Sequence, residues 1–157
     1  MTLSKELNMG RAGEYIVLAD LLLNGYQAFD SGQGASYDLI LENKDGKLIK
    51  IQVKTTEKIK QWDSKTNKKN NSYFFHTKRC GKNGTKKYNE KDFDLYALVM
   101  LDIRKIAYLP FKGIHKNSIT LLDKNNANFA KQKSLIWQNL TLEKALKELE
   151  NERLDRK

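Results

Sequence analysis

The sequence contains almost no cysteine or proline and has no long apolar run. One cysteine and one proline occur among its 157 residues. A single cysteine excludes an internal disulfide and the paired-cysteine pattern of a zinc site, and it favours a reducing compartment. No apolar run approaches the roughly 20 residues of a membrane-spanning helix, and Lys5 and Glu6 interrupt any secretory pattern near the N-terminus. We therefore expect an intracellular, cytoplasmic protein.

Acidic residues are also in deficit. The chain carries 29 lysines and arginines against 19 aspartates and glutamates, which gives a formal net charge of +10. Such an excess favours a polyanionic partner through phosphate contacts and counterion release. An anionic membrane surface would attract the same charge, but the one long charged helix that we predict mixes both signs and has no basic polar face. We therefore prefer nucleic acid as the partner.

Residues 37–56 predict two strands joined by a polar turn, with the Asp-Gly pair at 45–46 as a typical hairpin signal. In the second strand apolar residues alternate with Lys50, Gln52 and Lys54. Since side chains of a strand alternate between its two faces, these three polar residues share one face.

Asp38 lies in the first strand, and the register of the hairpin decides whether it meets those polar residues. A two-residue loop would place Asp38 opposite Val53. A loop of three or five residues, or one bulge, would instead place it beside Gln52 and Lys54. A functional site in this hairpin thus predicts an odd-numbered loop or a bulge. A plain amphipathic hairpin with a solvated polar face is the alternative.

Residues 2–24 predict a helix that ends at Gly25 in a left-handed cap. The C-terminal half of this helix is apolar nearly all round, so we expect that half to be buried. Glu14 lies at the start of the apolar zone, where a carboxylate must be paired, hydrated or coordinated. Gly10 and Gly13 indicate either a close approach of the helix backbone to another group or a frayed first turn.

Four further strands are predicted, and one of them is apolar along its whole length. Residues 95–101 form a nearly continuous apolar run, as expected of a central strand covered on both faces. Segment 57–71 indicates a long loop or an extended connection, and the chain from residue 118 onward indicates a polar loop. The four predicted strands span 26–30, 73–77, 95–101 and 105–109.

A C-terminal helix is predicted to begin at Thr141, with many charged residues and a narrow apolar stripe. That stripe either closes the domain or pairs with another subunit. We expect a single domain over residues 1–157, with a core at 1–112. The loop and helix at 113–157 are then a candidate for oligomerisation.

Three segments together resemble the PD-(D/E)XK nuclease superfamily. They are Gly-Arg-Ala-Gly-Glu at 10–14, Tyr-Asp-Leu-Ile-Leu at 37–41 and Ile-Gln-Val-Lys-Thr at 51–55. The chain most resembles the small branch that holds certain group I intron homing endonucleases, and it is similar more distantly to archaeal Holliday junction resolvases. The resemblance implies an α/β fold, a restriction-endonuclease-like sandwich in which helices flank a central mixed β-sheet.

The same resemblance implies roles for individual residues. Asp38 matches the central metal-ligand aspartate, Lys54 the lysine, and Glu14 the acidic residue that the first helix contributes. Gln52 occupies the position usually held by Glu or Asp, so the site holds one formal negative charge fewer than the usual pattern. The implied cofactor is one tightly held Mg²⁺, with Mn²⁺ able to substitute. Its implied ligands are Asp38, Glu14 and the main-chain carbonyl of Val53.

Candidate contacts to DNA lie in two loops and on the polar face of the hairpin. The basic segment 78–87 suits phosphate contacts, with a solvated lysine-rich turn as the alternative. The small polar loop at 31–36 comes directly before Asp38 and is expected to face substrate. His76 and His115 have no ligand-like spacing, so we expect surface or hydrogen-bonding roles for them. The candidate DNA-binding residues are Ser31, Gln33, Lys50, Lys78, Arg79, Lys82, Lys86 and Lys87.

The implied activity is metal-dependent endonucleolytic hydrolysis of double-stranded DNA, and long polar insertions favour site-specific cleavage of the homing or restriction-like kind. Cutting both strands normally needs two active sites, so we expect a homo-oligomer, either a dimer or a tetramer. A Holliday junction resolvase is the alternative enzyme. The alternative of another class is a nuclease-fold module that binds DNA without cutting it, and Gln52 is its best support.

Overall fold

The computed structural model describes residues 4–32, 34–63, 68–81, 84–111, 117–126 and 135–155. In these ranges no helix is both long enough and apolar enough to cross a membrane. The helices are α1 (Lys5–Leu23) and α2 (Leu142–Asp155), with short 3₁₀ turns at Lys124–Asn126 and Trp137–Asn139. The strands are β1 (Gln27–Asp30), β2 (Leu39–Glu42), β3 (Leu48–Thr56), β4 (Lys60–Asp63), β5 (Lys68–His76), β6 (Arg79–Gly81), β7 (Gly84–Lys86), β8 (Leu95–Met100), β9 (Lys105–Pro110) and β10 (Ser118–Leu122).

A five-stranded mixed sheet in the order β1-β2-β3-β8-β9 forms the centre of the fold. Its neighbouring strands are antiparallel except for β3 and β8, which are parallel. Every residue of β8 is buried, which confirms the predicted central strand. Leu95, Ala97 and Val99 face the core that contains residues of α1 and α2, whereas Tyr96, Leu98 and Met100 face a second core. The predicted α/β architecture with a central mixed sheet is therefore confirmed.

A smaller sheet in the order β10-β5-β4 supplies residues to the second core. The polar loop predicted from residue 118 onward is wrong at its start, because β10 pairs with β5 and buries Ile119 and Leu121. The long connection predicted at 57–71 is also wrong in part, since β4 and β5 pair as antiparallel strands. These pairings join residues far apart in sequence or flank a polar segment, so local composition does not show them.

The first helix ends at the predicted Gly25 cap and begins at Lys5, after Ser4. The Ser4 hydroxyl accepts the N–H of Leu7 at 3.3 Å and caps the N-terminus. Gly25 adopts φ 81° after the helix, and its N–H donates to Leu22 O at 3.0 Å. The helix therefore has a fixed length and a fixed direction relative to the sheet.

Burial of α1 is limited to one face, so the predicted all-round burial of its C-terminal half is wrong. The buried positions are Gly13, Val17 and Leu21, which recur every fourth residue and face the sheet. Leu22 and Leu23 are 53% and 89% exposed. A single sheet covers only one side of a helix, and within the described residues no other element covers the outer side of α1.

The C-terminal helix α2 closes the core of its own chain. Leu142, Ala145, Leu146 and Leu149 are buried in the same core as residues of α1, whereas Leu154 near the end of the helix is 69% exposed. The helix begins after Thr141, whose hydroxyl accepts the Lys144 N–H at 3.4 Å. Charged side chains predominate among its described exposed residues, as the sequence indicates.

Candidate active site

The turn between β2 and β3 fixes the register on which the site depends. Leu39 pairs with Ile51 and Glu42 pairs with Leu48, so residues 43–47 form a five-residue connection. This confirms the odd-numbered loop predicted for a functional hairpin. The same register places Asp38 level with Gln52, on the same face of the sheet.

Asn43 is the residue that builds this turn. Its side-chain Oδ1 accepts the N–H of Lys47 at 2.8 Å and the N–H of Asp45 at 3.1 Å. Gly46 follows at φ 73°, a conformation that favours glycine. The turn chemistry of 43–47 therefore sets the position of Asp38 at the opposite end of β2.

Asp38 lies directly before β2, and both its backbone and its side chain form hydrogen bonds with β3. Its own N–H donates to Ile51 O at 2.9 Å, and its Oδ2 accepts the N–H of Val53 at 2.7 Å. The same Oδ2 accepts a hydrogen bond from Gln52 Nε2. Val53 lies two residues beyond Ile51, so its carbonyl points to the same edge of β3, where it accepts from Gln52 Nε2 at 3.3 Å. The Asp38 carboxylate and the Val53 carbonyl are thus neighbours, as the resemblance implies.

The Asp38 carboxyl lies in an unfavourable place for a negative charge. Burial raises its pKa from 3.8 to about 6, and the nearby charge of Glu14 raises it as well. The Val53 N–H, the Lys54 ammonium and the Gln52 amide act in the opposite direction. Gln52 therefore contacts Asp38 directly, and Glu14 and Lys54 lie near enough to affect its pKa.

Lys54 is held by an aromatic residue that sequence reasoning did not assign to the site. Its Nζ donates to the Tyr88 hydroxyl at 3.1 Å and lies 5.2 Å from the centre of the Tyr88 ring. Tyr88 is 6% exposed and packs edge-on against Phe93, with ring centres 4.9 Å apart. The ammonium is therefore anchored on a buried, fixed phenol. Tyr88 follows Lys54 by 34 residues, and no local pattern links the two.

Glu14 reaches the site from α1 and is paired with an arginine on the same helix. Arg11 Nη1 contacts Glu14 Oε2 at 2.8 Å, and Arg11 Nη2 contacts Asp30 Oδ2 at 3.1 Å. The Arg11 guanidinium also lies 5.0 Å from the centre of the Tyr15 ring. The sequence predicts that Glu14 must be paired, hydrated or coordinated, and in this structure it is paired.

Gly13 lets α1 approach β3 closely beside Glu14. A Cβ atom added at Gly13 would overlap Thr55 Oγ1 and would lie 3.1 Å from Thr55 Cβ. At Gly10 an added Cβ would have no neighbour within 4 Å. The close backbone approach that the sequence offered as one reason for these glycines therefore holds for Gly13. At Gly10 the packing requires no glycine.

The oxygen atoms of the site fit a divalent cation such as Mg²⁺. Two carboxylates, from Asp38 and Glu14, and the Val53 carbonyl are the hard donors that such an ion prefers. A cation would also relieve the burial of the Asp38 charge and its repulsion by Glu14. Over the ranges that the structure describes, no three His, Cys, Asp or Glu side chains cluster closely enough to hold an ion by themselves. Few protein ligands and several waters are usual for Mg²⁺.

The predicted DNA-binding residues are spread over several elements. Lys50 Nζ donates to Lys91 O at 3.3 Å and lies 5.4 Å from the centre of the Tyr37 ring. The Ser31 hydroxyl donates to Tyr37 O at 2.6 Å and so braces the segment that leads to Asp38. Lys78 is half-buried and Lys87 is exposed, whereas Arg79 and Lys86 are paired positions of the short β6-β7 hairpin. Gln33 and Lys82 lie outside the described residues.

Comparison with known proteins places this geometry in a family. The family model described as PD-(D/E)XK endonuclease matches residues 5–139. The fold is similar to the solved structure of the bacterial homing endonuclease I-Ssp6803I, with a TM-score of 0.65 and 18% identity over 98% of this chain and 99% of that one. No curated protein sequence matches the chain. Because the family match covers most of the chain and includes the hairpin and helix that form the site, the chain belongs to the PD-(D/E)XK endonuclease family.

Proposed function

We propose that this protein is a Mg²⁺-dependent endonuclease that hydrolyses phosphodiester bonds in double-stranded DNA at specific sites. The observation that supports the proposal is the Asp38 carboxylate, which accepts a hydrogen bond from Gln52 on the same hairpin and whose pKa is affected by Lys54 of that hairpin and by Glu14 of α1. Phosphodiester hydrolysis builds negative charge on the phosphoryl and leaving oxygens. Carboxylates that hold a hard cation, beside an ammonium group in a fixed position, can stabilise that charge.

Each residue of the site has a distinct part in this proposal. Asp38, Glu14 and the Val53 carbonyl would hold one Mg²⁺, which when bound supplies a Lewis acid that offsets charge on the phosphate oxygens. Lys54 either orients the attacking water or stabilises the negative charge of the transition state. Tyr88 holds the Lys54 ammonium in place through its hydroxyl. No covalent intermediate with the protein is required.

Gln52 acts on Asp38 in this scheme. Its amide nitrogen donates to the Asp38 carboxylate and lies 3.3 Å from the Val53 carbonyl oxygen. A carboxylate only accepts hydrogen bonds when ionised, so the amide is a suitable neighbour that orients Asp38 without adding negative charge. The lower charge of the site supports one metal ion over two closely spaced ions.

Cleavage of supercoiled plasmid tests the activity, with Lys54→Ala as the decisive variant. We expect the wild-type chain to nick or cut plasmid with Mg²⁺ and to stop when a chelator is added. Lys54→Ala should keep DNA affinity and lose at least about 100-fold in cleavage rate, in line with the loss of one electrostatic group. Lys44→Ala, which removes an exposed lysine of the β2-β3 turn, serves as the matched control. Normal cleavage by Lys54→Ala would refute the assignment of this site.

Specificity is tested with a randomised duplex library set beside a four-way junction. A recovered recognition sequence would support the site-specific nuclease, whereas preferential cleavage of the junction would favour a resolvase. The second candidate function is DNA binding without cleavage, and the uncharged Gln52 favours it. Mobility shifts without any cleavage in Mg²⁺ or Mn²⁺ would identify that case.

We also propose that the active form is a homo-oligomer, a dimer or a tetramer. Double-strand cleavage needs two active sites, and the described residues form one. Exposed apolar side chains on α1 and β1 offer contact surface, since Tyr15, Leu22, Leu23 and Phe29 are each more than half exposed. Sedimentation of the free chain and of its DNA complex tests this, and a monomer in both would refute it.

A further inference from the structure

A cavity of about 470 Å³ adjoins the proposed active site and has no part in the chemistry described so far. Lys54 belongs to its wall, so the cavity begins at the catalytic lysine. Met9 of α1, the end of β3 with the segment that follows it, and two residues of β5 complete the wall. Its volume lies within the range of about 300 to 1,000 Å³ that is usual for ligand sites.

The charged groups of the cavity favour an anion. Lys58 and His76 are exposed at its edge, and Lys54 adds a third basic group. Glu57 also belongs to the wall, but its carboxylate is paired with Lys5 Nζ at 2.9 Å. Lys5 and Lys58 both lower the pKa of Glu57. The paired Lys5 offsets this single acidic charge, so Lys54 and Lys58 leave the cavity with a net positive charge.

Apolar residues form the rest of the wall. Met9, Ile59 and Phe74 are all half-buried and line the same cavity as the basic groups. The Phe74 and His76 rings meet edge-on with centres 4.9 Å apart, which places the imidazole beside an aromatic surface. A site with basic groups at its edge and apolar and aromatic walls suits the backbone of a DNA strand, whose phosphates are anionic and whose deoxyribose rings have an apolar face.

We propose that this cavity receives the DNA strand on one side of the bond to be cut. Lys58 and His76 bind the phosphate next to the scissile phosphate, and Met9, Ile59 and Phe74 contact the nucleotide between the two phosphates. This inference rests on the proposed nuclease function. Continuity with Lys54 supports it, because a strand whose phosphate lies at Lys54 must continue into a neighbouring space. The basic edge of the cavity suits that occupant.

Binding to a 20-base-pair duplex in Ca²⁺, followed by fluorescence anisotropy, tests whether DNA enters the cavity. We expect the Lys58→Ala/His76→Ala double variant to bind about tenfold more weakly than the wild type. Loss of the Lys58 contact should also reduce the slope of log K against log salt by about 0.9. Lys44→Ala, which removes an exposed lysine from the far end of β2, is the matched control. Equal affinity and equal slope for the double variant and this control would overturn the proposal.

Position along the strand is tested by cleavage of duplexes that carry one methylphosphonate, which removes the charge of a single phosphate. In the wild type, substitution at one of the two phosphates that flank the scissile one should lower kcat/KM about tenfold. In the double variant the same substitution should cost less than about twofold, since the contact is already absent. Equal losses in both proteins at both positions would overturn the assignment. If the chain binds duplex DNA without cutting it, the proposed nuclease function is refuted. The anisotropy measurement then still decides whether DNA enters the cavity.

Discussion

Replacing Gly13 by alanine probes the contact that brings Glu14 to the site. Gly13 is buried where α1 meets β3, and an added Cβ would overlap Thr55 Oγ1. It would also lie 3.1 Å from Thr55 Cβ and 3.2 Å from Thr55 Cγ2, which is tighter than most real contacts. The helix must therefore move away from β3, and Glu14, the next residue, moves with it.

The expected effect on stability follows from two opposing contributions. Alanine stabilises a helix by about 1 kcal/mol relative to glycine. Overpacking a well-filled contact costs about 1 to 3 kcal/mol. Gly10→Ala makes the same change on the same helix with no neighbour within 4 Å, so it receives only the first contribution. We therefore expect the free energy of unfolding of Gly13→Ala to lie about 1 to 3 kcal/mol below that of Gly10→Ala.

The rate of DNA cleavage should fall as well. A displacement of about 1 Å in a positioned group can cost on the order of 100-fold in rate, and Glu14 would shift by a distance of that order. Urea unfolding gives the stability difference and plasmid cleavage gives the rate. If Gly13→Ala matches Gly10→Ala in both measurements, the close approach of α1 to β3 does not position the site.

A second substitution separates this steric effect from any other effect of alanine. Thr55→Ala removes Oγ1 and Cγ2, two of the three atoms that an added Cβ at position 13 would meet. The third, the Cβ of residue 55, stays at 3.1 Å. A shift of a few tenths of an ångström then accommodates it. The Thr55 hydroxyl is buried with no hydrogen-bond partner, so its removal costs little in hydrogen bonding. The Gly13→Ala/Thr55→Ala double variant should thus recover most of the lost activity, and failure to recover would point to a different cause.

The two remaining predictions concern the charges of Asp38 and Glu14. Burial raises the pKa of Asp38 to about 6 in the folded chain, so the contribution of Asp38 to the free energy of unfolding should be largest below about pH 4 and fall by up to about 3 kcal/mol as pH rises through 6. Asp38→Asn should remove this fall in urea unfolding without metal and Asp45→Asn should keep it, whereas a fall that persists in Asp38→Asn would refute the cause. Arg11→Ala removes a positive charge paired with Glu14 at 2.8 Å, so calorimetry should show Mn²⁺ binding about three- to fivefold tighter, and weaker binding would mean that Arg11 holds Glu14 in its ligating position.

Most of the hairpin geometry was predictable because it depends on whether the number of residues in the loop is odd or even. Alternation places Gln52 and Lys54 on one face of β3, and an odd-numbered loop is needed for Asp38 to share it. Asn43 and Gly46 carry the turn signals that produce the five-residue connection. The sequence therefore contains the information for the meeting of these side chains, although the choice between loop lengths needed the structure.

Other parts of the site depend on contacts between distant residues and could not be predicted. The bond between Lys54 and Tyr88 joins β3 to a segment just before β8, and no periodic pattern relates them. The Tyr108 hydroxyl donates to Asp20 Oδ2 at 2.6 Å and ties β9 to α1, again between remote segments. The prediction that the C-terminal half of α1 is buried on all sides was wrong, because apolar composition alone does not show which faces of a helix are covered by another element.

The substitution of glutamine for an acid at position 52 changes the balance of the site before metal binds. A carboxylate there would face Asp38 across the hairpin register, and two like charges at that separation would raise the pKa of Asp38 further. The amide instead donates to Asp38 and lowers its pKa, although burial and Glu14 outweigh that effect. Among the described residues, Glu14 is the acidic side chain that raises the pKa of Asp38. Glu14 in turn is paired with Arg11, so a cation that took Glu14 as a ligand would compete with the Arg11 guanidinium for its carboxylate.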